Sequence, residues 1–216
     1  MKKYDYIFFD LDGTLSDSAP GIVNSVTYAL NRMGIDVADK EPLKKFVGPP
    51  LVESFSMYYN FTPDQIERAV MLFREYFEAQ GISENCMYAG ADILLEKLKY
   101  VGKIPVIATS KPEPFAKIIL SRYGIDHYFH YIAGSTTDET RTKKDEVIAY
   151  ALEACKIDDS SRVVMVGDRS HDVIGAKKNG IDCIGVLYGY GERKELEDAG
   201  AICTVKDFDE LARIII

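Results

Sequence analysis

Apolar residues in this chain come in short runs, rich in β-branched and aromatic side chains. Longer stretches separate them, in which apolar positions recur every third or fourth place. The runs at residues 6–9, 104–108, 131–133, 163–166, 183–186 and 202–205 read as brief strands. Residues 91–101, 114–123, 145–155, 171–179 and 207–215 carry helical periodicity. Strands that alternate with helices predict an α/β fold with a parallel sheet covered on both faces.

The alternation fails once. Across residues 18–80 the pattern gives helices only. One starts near Pro20 and ends before Gly34, with proline inside the start and glycine past the end. Another starts at Thr62-Pro63-Asp64, lines up Ile66, Val70, Phe73 and Phe77, and stops at Gly81. The block is too long for a crossover between strands. We therefore expect a Rossmann-like core at 1–16 and 82–216, with an all-helical cap inserted at 17–81. Ligands of open parallel sheets bind at the carboxyl ends of the strands, so an insert leaving that edge is expected to act as a lid.

Those strand ends carry the candidate chemistry. The first run exits into Asp10-Leu11-Asp12-Gly13-Thr14, and residues 163–166 exit into Gly167-Asp168-Arg169-Ser170-His171-Asp172. Each pair of acids alone reads as a solvated turn or as a helix start suited to its dipole. Both loops lie at one end of a parallel sheet, so up to four carboxylates are expected to converge and repel. A hard cation with oxygen ligands removes that conflict, and magnesium suits a partly hydrated carboxylate site. After residues 104–108 come Thr109-Ser110-Lys111-Pro112, hydroxyls and free amides before a helix, which form either a phosphate cradle or a plain cap. Lys143 and Lys144 precede the next helix, where one lysine is placed to neutralise a phosphoryl group or both to face solvent.

Composition narrows the partners. The 216 residues carry a formal net charge of -8, which argues against nucleic acid as the main partner. No apolar run approaches the roughly 18 residues that span a bilayer, and Asp5, Asp10 and Asp12 interrupt any signal-peptide core. A cytoplasmic protein with no membrane partner is expected. Cys86, Cys155, Cys183 and Cys203 are far apart, lack metal-ligand spacing and read as reduced core residues. His127 and His130 have no evident catalytic partner in the sequence, and His171 inside the acidic loop reads as a surface helix position or a functional one. Tyr58, Tyr59, Tyr188 and Tyr190 read as core or rim packing or as the lining of a nucleoside or sugar pocket.

The succession DLDGTLSDS, ATS, a lysine before a helix and GDRSHD resembles the haloacid-dehalogenase-like hydrolases, in order and across nearly the whole chain. The helical cap after the first motif is similar to the phosphoglycolate-phosphatase-like branch. FVGPP, SKPE, KKDEVIAYALE and GVLYGYG are similar to stretches of members called 5'-nucleotidases or phosphatases. The resemblance implies that Asp10 is the nucleophile and a magnesium ligand. It makes Asp12 the general acid and base, with its backbone carbonyl on the metal. Thr109, with Ser110, would hold phosphoryl oxygens, and Lys144 would stabilise charge, the doublet with Lys143 leaving that choice open. Asp168 would bind the metal, with Asp172 beside it. Members with an acid at the Asp12 position act on phosphate esters.

The resemblance thus implies a magnesium-dependent phosphatase for a small phosphorylated metabolite, phosphoglycolate or a nucleoside 5'-monophosphate, acting through an aspartyl-phosphate. A phosphomutase of the β-phosphoglucomutase type, or a binding protein on the same scaffold, are the alternatives. Specificity is expected from the insert, at Lys44, Lys45 and Gly48 in its least regular segment.

Overall fold

The computed structural model describes residues 4–138 and 140–216. In chain order these form β1 (Tyr6–Phe9), β2 (Ser16–Asp17), α1 (Ala19–Arg32), α2 (Leu51–Tyr59), α3 (Pro63–Ala79), β3 (Cys86–Met87), α4 (Ala91–Tyr100), β4 (Ile104–Pro112) and α5 (Glu113–Arg122). They continue with β5 (Tyr131–Ser135), α6 (Lys144–Ala154), β6 (Val163–Gly167), α7 (Ser170–Lys178), β7 (Asp182–Val186), α8 (Arg193–Ala199), β8 (Cys203–Val205) and α9 (Phe208–Ile215).

Six strands form a parallel sheet in the order β5-β4-β1-β6-β7-β8. The aliphatic runs that predicted strands do so because both faces are covered. Phe8, Val106, Ala133, Val163 and Met165 join Val147, Ile148 and Ala151 of α6 and Val173 and Ala176 of α7 in one core cluster. Ile7, Phe9, Ile107, Val164 and Val166 alternate with them along the strands and are just as buried. At about 25 cal/mol per Å² of apolar surface removed from water, such two-sided burial is the main force holding the sheet.

The chain divides into two compact units, one of residues 4–16 and 87–216 and one of Asp17–Cys86. The second unit is helical. Its α3 starts with a reciprocal cap, Gln65 N–H donating to Thr62 Oγ1 at 3.4 Å and Thr62 N–H to Gln65 Oε1 at 2.9 Å. Val70, Phe73 and Phe77 of α3 are buried, and α1 packs along the same helix. The return boundary lies beyond Gly81 for a steric reason. A Cβ on Gly21 of α1 would stand 2.1 Å from the Gly81 carbonyl oxygen, and Gly21 N–H bonds Glu84 O at 2.9 Å, which ties 81–84 to α1.

Two helices, α2 and α8, lie outside the periodic segments of the sequence. In α8 only Leu196 is buried, and α2 is dense in aromatic and β-branched residues that favour strands in isolation. Phe55 of α2 finds Phe46 at a ring separation of 5.0 Å, and this packing overrides the local preference. Cys86 corrects the expectation of four core cysteines. It is exposed on the two-residue strand β3, whereas Cys155 and Cys183 are buried.

Candidate active site

The three central strands end together. Phe9 pairs with Ile107 of β4 and with Val166 of β6, so Asp10, Thr109 and Asp168 leave the sheet from one edge. Asp10 N–H donates to Val166 O at 2.9 Å, which carries the ladder one residue further. The chain then turns tightly, with Leu15 N–H and Ser16 N–H donating to Leu11 O at 3.0 and 2.9 Å. Gly13 makes the turn at φ +80, and a Cβ there would stand 2.2 Å from Asp168 Oδ2. Glycine is what lets the two acidic loops close on one another.

Asp10, Asp168 and Asp172 are buried and each offers a carboxylate oxygen within 4.8 Å of the others. Lys144 enters from the start of α6. Its Nζ lies 2.9 Å from Asp10 Oδ1 and 2.8 Å from Asp172 Oδ1, and donates to Ala108 O at 3.1 Å. Lys143 is exposed, so of the doublet it is Lys144 that the helix start turns inward. Leu11 N–H donates to Asp10 Oδ1 at 2.8 Å, and Arg169 N–H to Asp172 Oδ2 at 3.1 Å.

The electrostatics follow from burial. Asp168 is held well above the usual carboxylate range by burial first, then by Asp172 and Asp10, against the pull of the Tyr190 amide and Arg169. Burial pushes Asp172 up to about 6, with Lys144 drawing it down and Asp10 adding to the rise. Burial disfavours the Lys144 ammonium, but Asp10 and Asp172 outweigh that and hold it above its ordinary value.

Asp12 departs from the expected convergence of four carboxylates. Its Oδ2 lies 2.9 Å from the Nζ of Lys111, with both side chains buried, so three acids cluster and the fourth has a lysine of its own. Its Oδ1 is buried and has no hydrogen-bond partner among the described residues. Thr109 is buried and its Oγ1 accepts the Lys111 N–H at 3.2 Å, while Ser110 is half-buried beside it.

Several contributors left no clear mark in the sequence. Lys111 read as an ordinary residue of a turn. Tyr190 acts through its backbone, its N–H donating to Asp168 Oδ2 at 2.8 Å, and Thr14 Oγ1 lies 3.4 Å from Asp168 Oδ1. Tyr188 donates its hydroxyl to Thr14 O at 3.1 Å. Gly189 between the two tyrosines fits because a Cβ there would stand 2.3 Å from Gly13 O. The GVLYGYG stretch is thus a brace for the two acidic loops. Glu195 of α8 accepts from Ser170 N–H at 2.8 Å and Arg169 Nε at 3.1 Å, which steadies the loop between Asp168 and Asp172.

Lys44, Lys45 and Gly48 belong to the helical unit. Lys44 pairs with Glu41 at 2.8 Å, the Lys45 ammonium sits 4.0 Å from the Tyr58 ring centre, and Gly48 has φ +101. Residues 41–46 are a 3₁₀ helix, so only 47–50 keep the irregular form expected of this segment.

The trio fits a divalent cation. All its donors are hard carboxylate oxygens, and the one ammonium beside them among the described residues pairs with Asp10 and Asp172, which leaves more acids than cations in a buried place. Burial first, and the neighbouring acids after it, raise Asp168 and Asp172 in this setting.

A sequence model of the family described as haloacid dehalogenase-like hydrolase matches residues 7–186. A 5'-nucleotidase of Pseudomonas aeruginosa is 43% identical over 194 residues, which cover 90% of this chain and 87% of that protein. The tyrosine-protein kinase PtkA of Mycobacterium tuberculosis is 42% identical over 185 residues, 86% of this chain and 62% of that protein. The crystal structure of a predicted phosphatase from Clostridium acetobutylicum superposes with a TM-score of 0.95 at 48% identity, covering 98% of both chains.

Proposed function

Because this chain belongs to the haloacid dehalogenase-like hydrolases, we propose that it is a magnesium-dependent phosphatase of small phosphate monoesters, working through an aspartyl-phosphate on Asp10. The observation that carries the reading is the buried set of Asp10, Asp168 and Asp172, with Lys144 paired to Asp10 and Asp172 and with Asp12 on Lys111.

In the first step a carboxylate oxygen of Asp10 bonds to phosphorus, the ester bond to the leaving oxygen breaks, and Asp12 supplies that oxygen with a proton. In the second, water attacks the phosphoaspartate, Asp12 takes a proton from it, and Asp10 is released. Lys144 holds the Asp10 carboxylate in place and balances charge on the transferring group, while Thr109 and Ser110 offer it a hydroxyl and amides. Asp10, Asp168 and Asp172, with the Asp12 carbonyl, would hold Mg2+, which when bound offsets negative charge on the phosphoryl oxygens. Splitting the reaction gives two accessible barriers in place of one that is extremely high in water.

A panel of phosphorylated metabolites, assayed for inorganic phosphate with Mg2+, tests the reading. Nucleoside 5'-monophosphates are expected among the turned-over esters, given the likeness to a 5'-nucleotidase, with phosphoglycolate as the other candidate. A second reading, passage of the phosphoryl group to another hydroxyl as in a mutase or kinase, is favoured by the likeness to PtkA. Stoichiometric release of phosphate excludes it. Turnover of donor without phosphate release establishes it.

The metal can be tested without turnover. Mg2+ at about 100 times its dissociation constant should stabilise the fold by about 2.7 kcal/mol, which raises Tm by roughly 5–10 °C. Asp168→Asn should remove that response. It should also raise the Tm of the metal-free protein, because burial makes the ionised Asp168 unfavourable in the folded state and Asn carries no charge. Differential scanning fluorimetry with and without Mg2+ reads both effects.

Leaving-group choice is assigned to Lys44, Lys45 and Gly48 of the helical unit. Replacing both lysines by Ala should change the ratio of kcat/KM between a nucleotide and a small phosphate ester by about ten-fold. An unchanged ratio removes the assignment.

A further inference from the structure

The geometry points to Lys111 as a positioning residue that decides which oxygen of Asp12 carries the transferred proton, an inference that rests on the reading of Asp12 as acid and base. Lys111 is 7% exposed and its Nζ stands 2.9 Å from Asp12 Oδ2. An ammonium has three donors and no acceptor. The oxygen facing it must accept, so a proton on Asp12 resides on Oδ1. That atom is buried without a hydrogen-bond partner among the described residues. A buried acceptor without a partner is uncommon and costly in a folded chain, and it is accounted for if a substrate or water oxygen completes it during the reaction.

Local structure explains why the lysine points inward. Strand β4 slips out of register with β5 between Ala108 and Pro112, and Thr109 Oγ1 takes the Lys111 amide at 3.2 Å. Pro112 follows, and its ring fixes the exit of the chain. The result is two separate ionic groups, Lys144 with Asp10 and Asp172, and Lys111 with Asp12. The second pair keeps the Asp12 carboxylate apart from the acidic trio.

The proton balance is closed. As the bond from Asp10 to phosphorus forms and the ester bond breaks, the Oδ1 proton passes to the leaving oxygen. As water bonds to phosphorus and the phosphoaspartate opens, a water proton returns to Oδ1.

The test compares kcat/KM for an alkyl phosphate and for p-nitrophenyl phosphate in Lys111→Gln. This ratio reports only events up to leaving-group departure, and the nitrophenolate departs with little help from an acid. Lys111→Gln should lower kcat/KM for the alkyl ester by about 10²-fold, and much less for the aryl ester. In an Asp12→Asn background it should add no further selective loss. Lys111→Arg, which keeps the charge, should recover part of the alkyl-ester rate, and it carries the same comparison should Lys111→Gln fail to fold. Equal losses on both esters, or no loss on either, overturn the role of Lys111. If Asp12→Asn itself shows no leaving-group dependence, the assignment of Asp12 as the acid is what fails.

Discussion

Asp10→Asn is expected to lower phosphate release by roughly 10⁴- to 10⁶-fold, the scale seen when a covalent nucleophile is removed. The amide matches the carboxylate in size but has no anionic oxygen to bond phosphorus. Its neighbours should stay where they are, because the Asp10 backbone is fixed by the β ladder and Lys144 keeps Asp172 and the Ala108 carbonyl as partners. The variant should therefore fold, with the loss falling on kcat. Circular dichroism and steady-state kinetics at saturating substrate check both. Near-normal Mg2+-dependent turnover would remove the nucleophile from Asp10.

The second large effect belongs to Asp12. Asp12→Asn should cost about 10²- to 10⁴-fold in turnover, and the loss should divide between the steps in a recognisable way. With p-nitrophenyl phosphate the first step needs little acid, yet the second still needs a base. Nitrophenol should then appear as a burst near one equivalent per chain, followed by slow release as the phosphoenzyme hydrolyses. Stopped-flow absorbance reads the burst directly. Its absence, with both steps slowed alike, would make Asp12 a structural partner of Lys111 rather than an acid and base.

The contrast between these two aspartates shows how far the sequence could be read. Asp10, Asp12, Asp168 and Asp172 stood out because acids at the ends of buried strands are costly, and parallel strands bring their ends to one edge. The strands themselves were legible because two-sided burial demands continuous apolar runs. What a residue string does not encode is which charge meets which. It suggested that up to four acids converge, and the folded chain sets the Asp12 carboxylate on Lys111. A lysine after a strand looks the same whether it faces solvent or a carboxylate, and here a slip in the β4 register decides. The resemblance favoured Lys144 without closing the choice against Lys143, and the start of α6 turns Lys144 inward. Tyr190 contributes an amide, which every residue but proline has, so no side-chain pattern could reveal it. Helix α2 falls inside the block read as helical, yet it has no periodic segment of its own for another reason. Its aromatic residues favour strands locally, and packing on Phe46 and Phe61 offsets that preference.

The central claim is covalent transfer to Asp10. Enzyme mixed with substrate and Mg2+, quenched in acid within one turnover and reduced with borohydride, should yield homoserine at position 10 in peptide mass spectra, from reduction of the acyl phosphate. Recovery of unmodified Asp10 throughout such a time course, while phosphate is released at the full rate, would contradict it.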